Sequence, residues 1–518
     1  MAFDSRMNAA PAGFDPRRDL PAGFWDFYLP LHQKFTPWRD KLVAARAARL
    51  AASQEGEYPH YLLPSEITRS EWRVNLPEWV LDQRNQMTGP VDDAELSVKM
   101  LNSGAPGVML DLEDSMANTW GNLMEGHANA VAALYGDLSW CCKGDEALRI
   151  KPSKTVIFVR ARGLHLSQAG TLPNGELTSA SAFDVALLAF RAERGKLKHN
   201  LSFYIPKTES ADEGKWWTAL FQDIAAARGW ERDYIKAMAL VESFPMAYEF
   251  EEFLYHMREH ILGLNLGRWD YMASLIHFNL NDPNWVLPDR NTIPHDVTFF
   301  QNLRLRIPQL CHRHGALAIG GMTALYPSRV DAELNARALK VLAEDKKNEA
   351  VCGMDGAWTG HPDQNRIALE QFPVPNQLGK WDPAYDRYPE LRVPPAGVGR
   401  RTVDGSRAAA RTTILYRFGV LSGKGASLIN GYMEDLATDR IYRLMLAQRI
   451  RHAGRVAIED NGKTVDHTAA FVSRLYDEEL EKILAALPPD ADAKTRDRYR
   501  EARRRSEEMI AKCWFDPV

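Results

Sequence analysis

The pattern of apolar positions divides the chain into a long repetitive middle and two unlike flanks. Between residues 81 and 370, short apolar runs recur with helical stretches between them: Gln86-Met-Thr88, Gly107-Val-Met-Leu-Asp111, Thr155-Val-Ile-Phe-Val-Arg160, Leu201-Ser-Phe-Tyr-Ile-Pro206, Lys236-Ala-Met-Ala-Leu-Val-Glu242, Ile261-Leu-Gly-Leu-Asn265, Ala316-Leu-Ala-Ile-Gly320 and Gly353-Met-Asp-Gly-Ala-Trp358. Continuous apolar runs of this kind are what strands buried on both faces look like. Eight of them alternating with helices predict a (β/α)8 barrel of the TIM type, the first and last runs having the least strand character. Many runs end in polar or charged residues: Asp111 and Glu113, Arg160, Lys207, Glu242, Asn265 and Asp270. A barrel gathers its strand ends at one mouth, where enzymes of this architecture build their sites.

The flanks read differently. Residues 1–80 mix Pro-rich turns with a helical stretch, Lys41-Leu-Val-Ala-Ala-Arg-Ala-Ala-Arg-Leu-Ala-Ala52, and are expected to form an N-terminal helical clasp. Residues 371–410 form a linker dense in proline and glycine, from Phe372-Pro-Val-Pro375 to Pro394-Pro-Ala-Gly-Val-Gly399. Residues 411–518 read as a helical C-terminal plug domain, with an amphipathic stretch at Thr438-Asp-Arg-Ile-Tyr-Arg-Leu-Met-Leu-Ala-Gln448 and a highly charged one at 494–508. No repeat of fixed period is found.

Charge narrows the function classes. With 64 basic and 68 acidic residues the net charge is −4, which lacks the basic field that nucleic-acid binding relies on. No run approaches the ~18 apolar residues of a membrane span. Cys141, Cys142, Cys311, Cys352 and Cys513 show no zinc or disulfide spacing and fit thiols in a reducing compartment. The start lacks an apolar leader and the end, Cys-Trp-Phe-Asp-Pro-Val518, lacks a peroxisomal address, so a cytoplasmic location is expected.

The strand-end residues offer specific chemistry. Glu242 and Asp270 close successive runs one βα unit apart, and two carboxylates with water and substrate oxygens suit Mg²⁺. Each could equally be an ordinary solvated acid. Asp111 and Glu113 project to one side of an extended chain and could orient a cation or hold metal-bound water; acids at a helix N-terminus explain them as well. Arg160 offers forked donors to a carboxylate or a developing enolate, whereas Arg162 fits a salt-bridge network as readily. Beyond the barrel, Met433-Glu-Asp-Leu-Ala-Thr438 presents Glu434 and Asp435, either a base delivered from another domain or two routine helix-start acids, with nothing to choose between them. The Gly320-Gly-Met322 and Gly360-His-Pro-Asp363 segments allow close backbone approach, and His260 and His361 carry no proton-transfer expectation.

These segments together resemble the malate synthase family. The signature is His260-Ile-Leu-Gly-Leu-Asn-Leu-Gly-Arg-Trp-Asp-Tyr271, and the likeness continues in order through Thr88-Gly-Pro90, Leu101-Asn-Ser-Gly104, Asp111-Leu-Glu-Asp-Ser115, Val159 to Leu166, Gly320-Gly-Met322, Asp355 to Pro362 and Met433 to Thr438. Length, with no large inserted domain, is similar to the compact A form. The resemblance implies condensation of acetyl-CoA with glyoxylate, followed by hydrolysis of malyl-CoA to malate and CoA. It implies Mg²⁺ on Glu242 and Asp270, Arg160 as the electrophilic group and Asp435 as the base. It further implies supporting roles for Asp111 and Glu113, a substrate cradle near Gly267 and Trp269, and a CoA channel near His361 and Pro362. Ala161, Leu266, Met272-Ala273 and Lys424 to Leu428 depart from the family's usual residues without removing a charged catalytic group. A malyl-CoA or citramalyl-CoA lyase-type enzyme shares barrel and metal but releases no free thiol with malate; the Met433 to Thr438 block favours the synthase. A catalytically retired barrel is disfavoured by retention of Arg160, Glu242, Asp270 and Asp435 together.

Overall fold

The eight apolar runs are eight parallel strands closed into a barrel: β1 Asn85–Pro90, β2 Gly107–Asp111, β3 Val156–Arg160, β4 Ser202–Ile205, β5 Lys236–Val241, β6 Ile261–Leu266, β7 Leu317–Met322 and β8 Gly356–Thr359. Each pairs with its neighbours in sequence, and β8 returns to β1. This is a computed structural model, which describes residues 7–141 and 147–513. β8 begins three residues later than its apolar run. Gly353 has a φ of +102° and turns the chain out of the preceding helix, so Gly353 to Asp355 precede the strand. Gly356 then packs so closely on β1's lead-in that a Cβ there would lie 2.0 Å from the Gln83 carbonyl oxygen.

The strands are buried on both faces, which is why they read as unbroken apolar runs rather than alternating ones. Met109, Phe158, Tyr204, Met238, Leu240, Leu262, Leu317, Ile319 and Trp358 belong to one buried cluster. Within it the Tyr204 hydroxyl and the Trp358 indole N–H both donate to Gln86 Oε1, at 2.8 and 3.0 Å, which satisfies three buried polar groups at once.

The chain divides into two compact units. The first comprises residues 1–47, 60–267 and 304–388 and contains all eight strands; the second comprises 48–59, 268–303 and 389–518. Helix α1, Phe24–Gln54, is longer than the alanine- and arginine-rich stretch and carries Pro30 and Pro37 inside it, where turns were expected. Its N-terminal part is anchored by aromatic packing of Phe24 and Tyr28 on Phe183, and the Trp216 indole donates to the Phe35 carbonyl at 3.0 Å. Farther along it, Arg46 forks onto Glu213 at 2.7 Å.

The second unit is mainly helical, with α2 Arg268–Phe278, α3 Val403–Leu421, α4 Leu436–Arg451, α5 Ala469–Ala485 and α6 Ala493–Ala511 as its longest members. The hairpin β9 Ser427–Ile429 and β10 Tyr432–Glu434 leads directly into α4. Among the described residues no helix is long and apolar enough to cross a membrane, and Cys141, Cys311, Cys352 and Cys513 form no disulfide. Cys142 lies outside the described residues.

Candidate active site

In the barrel unit the charged strand ends assemble into a connected buried cluster. Asp111 and Arg160 are register partners on the last residues of β2 and β3. Arg160 Nε donates to Asp111 Oδ1 at 2.7 Å and Nη2 to Oδ2 at 2.5 Å, a bidentate pair in which Asp111 is fully buried. The Asp111 carboxylate also accepts from the Glu113 and Ser115 amides and the Ser115 hydroxyl. Burial disfavours its charge, but the Arg160 guanidinium more than compensates and holds the carboxyl below its ordinary range. Arg160 likewise stays charged against burial because Asp111 faces it. Asp111 is therefore the group that orients Arg160. The alternative of helix-start acids does not hold here, since the next helix begins only at Trp120.

Glu113 bends back toward the next strands. Its Oε1 accepts the Gly163 amide at 3.1 Å and its Oε2 the Lys207 ammonium at 2.7 Å, and Arg160 Nη1 stands 3.8 Å away. Burial pushes the Glu113 carboxyl up; the Lys207 ammonium opposes that push and neighbouring Asp114 adds to it.

Lys207 is the member whose part sequence reasoning missed. It has a φ of +49°, a left-handed conformation that costs a non-glycine residue about 1–3 kcal/mol and clusters at functional sites. That twist lets one residue serve two elements: its ammonium reaches Glu113 and Asp114, and its backbone amide donates to Glu242 Oε1 at 2.8 Å. The only sequence signal was a lysine just past a strand end.

Glu242 follows β5, is buried, and has Oε1 oriented by that amide. A Cβ on residue 267 would lie 2.5 Å from Glu242 Oε2, so only glycine leaves room for this carboxylate. A hard oxygen donor in a niche kept open by Gly267 fits Mg²⁺, which is usually bound through one or two carboxylates plus water and substrate. Among the described residues no three His, Cys, Asp or Glu side chains gather into a metal cage, which such an ion does not require.

Asp270 and Asp435 belong to the second unit. Asp270 sits in the first turn of α2, where the helix dipole favours an acid, and its Oδ1 accepts from Arg440 of α4. Asp435 is the N-cap of α4, half-buried, with Oδ1 accepting the Ala437 and Thr438 amides at 3.0 and 3.3 Å. The structure separates it from its neighbour: Glu434 is buried and bound bidentately by Arg290 at 2.6 and 2.7 Å. Arg162 is separated from Arg160 in the same way, being fully buried and forked onto Asp184 at 2.7 and 2.9 Å. Trp269, partly exposed, packs near the guanidinium groups of Arg268 and Arg290.

His361 caps the helix Pro362–Gln371, accepting the Asp363 amide at 3.1 Å, with Pro362 in the first turn. His260 is buried beside the Ile235 carbonyl, and burial lowers its pKa, as befits a structural histidine.

Comparison with known proteins agrees with this architecture. The family model described as the malate synthase TIM barrel domain matches residues 156–382, and that described as the malate synthase C-terminal domain matches 400–516. The chain is 33% identical to malate synthase A of Escherichia coli, over 92% of this chain and 90% of the relative. It is 36% identical to a malate synthase of Streptomyces clavuligerus over the same shares. A solved malate synthase of Haloferax volcanii, in a ternary complex with pyruvate and acetyl-CoA, superposes with a TM-score of 0.50 at 15% identity, covering 81% of this chain and 98% of that one, which speaks to the fold. Matched by both family models and by relatives over nine-tenths of its length, the chain belongs to the malate synthase family and is an enzyme of that activity.

Proposed function

We propose that the enzyme condenses acetyl-CoA with glyoxylate and hydrolyses the resulting malyl-CoA, with Asp435 as base, Arg160 as the stabiliser of the enolate, and Glu242 and Asp270 as the carboxylates that hold Mg²⁺. The bidentate Asp111–Arg160 pair carries this reading: it fixes a permanently charged guanidinium through Nε and Nη2 and directs the Nη1 edge elsewhere. Asp435 takes a proton from the methyl group of acetyl-CoA, and Arg160 stabilises the negative charge that passes to the thioester oxygen. The methylene carbon then attacks the aldehyde carbon of glyoxylate, and water cleaves the malyl thioester to malate and CoA. When bound, Mg²⁺ supplies the polarisation of the aldehyde and neutralises the glyoxylate carboxylate.

Glu113 and Lys207 support this arrangement by holding Arg160 and Glu242 in register. Gly267 and Trp269, at the start of α2, line the glyoxylate cradle, and the His361-Pro362 turn borders the CoA channel. The absence of disulfides at the four described cysteines supports a reducing, cytoplasmic setting. Purified enzyme mixed with acetyl-CoA, glyoxylate and Mg²⁺ should release one free thiol per malate. Accumulation of malyl-CoA without thiol would overturn the reading.

A further inference from the structure

Arg290 has no place in the chemistry above, yet it is among the most completely enclosed charges of the second unit. It opens the short turn Arg290–Thr292, and its side chain is fully buried. Its Nη1 and Nη2 donate to the two oxygens of Glu434 at 2.7 and 2.6 Å. Three aromatic rings surround the same guanidinium: Tyr442 at 4.3 Å, Trp269 at 5.4 Å and Tyr432 at 5.5 Å. Buried arginine held by a planar carboxylate and by ring faces is confined in both position and plane.

The residues it grips give this enclosure its meaning. Glu434 immediately precedes Asp435, and Tyr442 lies on the helix that Asp435 caps. Trp269 immediately precedes Asp270, and Asp270 is itself held by Arg440 of that same helix. One guanidinium thus holds the side chains of the residues immediately before both acids. Misplacement of a reacting group by about 1 Å can cost on the order of 10²-fold in rate.

We propose that Arg290 is a positioning residue that, through Glu434 and its aromatic cage, fixes the Asp435 carboxylate relative to Asp270. The proposal rests on the reading of Asp435 as the base, and it concerns the transfer of the proton from acetyl-CoA rather than the binding of acetyl-CoA. A merely structural arginine would change how much protein folds, not the rate per folded molecule.

The test compares Arg290→Met, Arg290→Lys and Glu434→Gln with the unaltered enzyme, using acetyl-CoA carrying hydrogen or deuterium on its methyl group and counting folded molecules by circular dichroism. Arg290→Met is expected to lower kcat per folded molecule about 10²-fold while the acetyl-CoA KM stays within about threefold. The deuterium effect on kcat should be at least that of the unaltered enzyme. Arg290→Lys should restore only part of the rate, because an ammonium cannot reproduce the fork. If Arg290→Met fails to fold, Glu434→Gln, which keeps volume and removes charge, is expected to lower kcat per folded molecule about tenfold and decides the matter. An unchanged kcat per folded molecule, or a loss whose deuterium effect collapses toward unity, would overturn the proposal. Asp435→Asn measured alongside separates the two ideas: if that variant keeps its rate, the base assignment fails instead.

Discussion

Asp111 and Glu113 of the barrel unit and Asp435 of the second unit are oriented by different groups. In the barrel unit, Asp111 and Glu113 are bound to full positive charges, Arg160 and Lys207, at distances of 2.5 to 2.7 Å. In the second unit, Asp435 accepts two backbone amides at a helix start, while its neighbour Glu434 is bound by Arg290. The difference matches the work proposed for each. A carboxylate whose task is to aim a guanidinium should stay ionised, and a cation beside it secures that. A base must accept a proton, and amides at a helix start orient the Asp435 carboxylate for that task.

The contrast can be broken most severely at Asp435. Asp435→Asn is expected to lower kcat about 10³-fold while Mg²⁺ and glyoxylate bind nearly as before, as read by steady-state kinetics and calorimetric titration. Near-normal turnover would remove the base from the second unit. Next in size is Gly267→Ala, whose new methyl collides with Glu242. Mg²⁺ affinity should fall more than tenfold with little change in melting temperature, and Glu242→Ala or Asp270→Ala should also weaken it sharply. Unaltered Mg²⁺ titrations in all three would refute the metal assignment.

Asp111→Asn probes the barrel side. It leaves buried Arg160 without its charged partner, which for buried pairs costs about 3–5 kcal/mol, so denaturant midpoints should drop together with kcat. A variant with normal stability and rate would show that Arg160 needs no orienting acid. The smallest effect is expected at Arg162 and Asp184, a buried pair in the same unit with no catalytic part. Burial raises the Asp184 carboxyl, but Arg162 and His127 outweigh it and hold the value down to about 2. Because the folded value is depressed, the stabilisation is full above the unfolded value near 4 and is lost as pH falls from about 4 to about 2, by some 2 kcal/mol. Asp184→Asn should flatten that part of the stability profile and leave the neutral-pH kcat per folded molecule unchanged; an identical acid profile would argue against the pair.

Much of the barrel could be read from one dimension because burial on both faces leaves a visible mark on each strand. β2 coincides with its apolar run from Gly107 to Asp111, and β6 extends its run by one residue to Leu266. The prolines of α1 misled the reading in the other direction: aromatic packing around Phe24 and Tyr28 supports a helix that propensity alone would interrupt. Asp111, Arg160, Glu242 and Asp270 stood out as polar ends of apolar runs. Lys207 stood out in the same way, but its part did not, since a left-handed backbone and a bridge to acids 93 and 94 positions away have no local signature. Arg290 was invisible for the same reason, its carboxylate partner lying 144 positions along the chain.

The sequence by itself determined the strand count, the order of the elements and the family, because these follow from local periodicity and from motifs in register. Only the tertiary structure showed how chemically similar neighbours are held. Asp435 and Glu434, or Arg160 and Arg162, are close neighbours of like charge that composition and spacing do not rank. They are told apart by which distant side chain is already paired with each, and that pairing exists only once burial has removed water as the alternative partner.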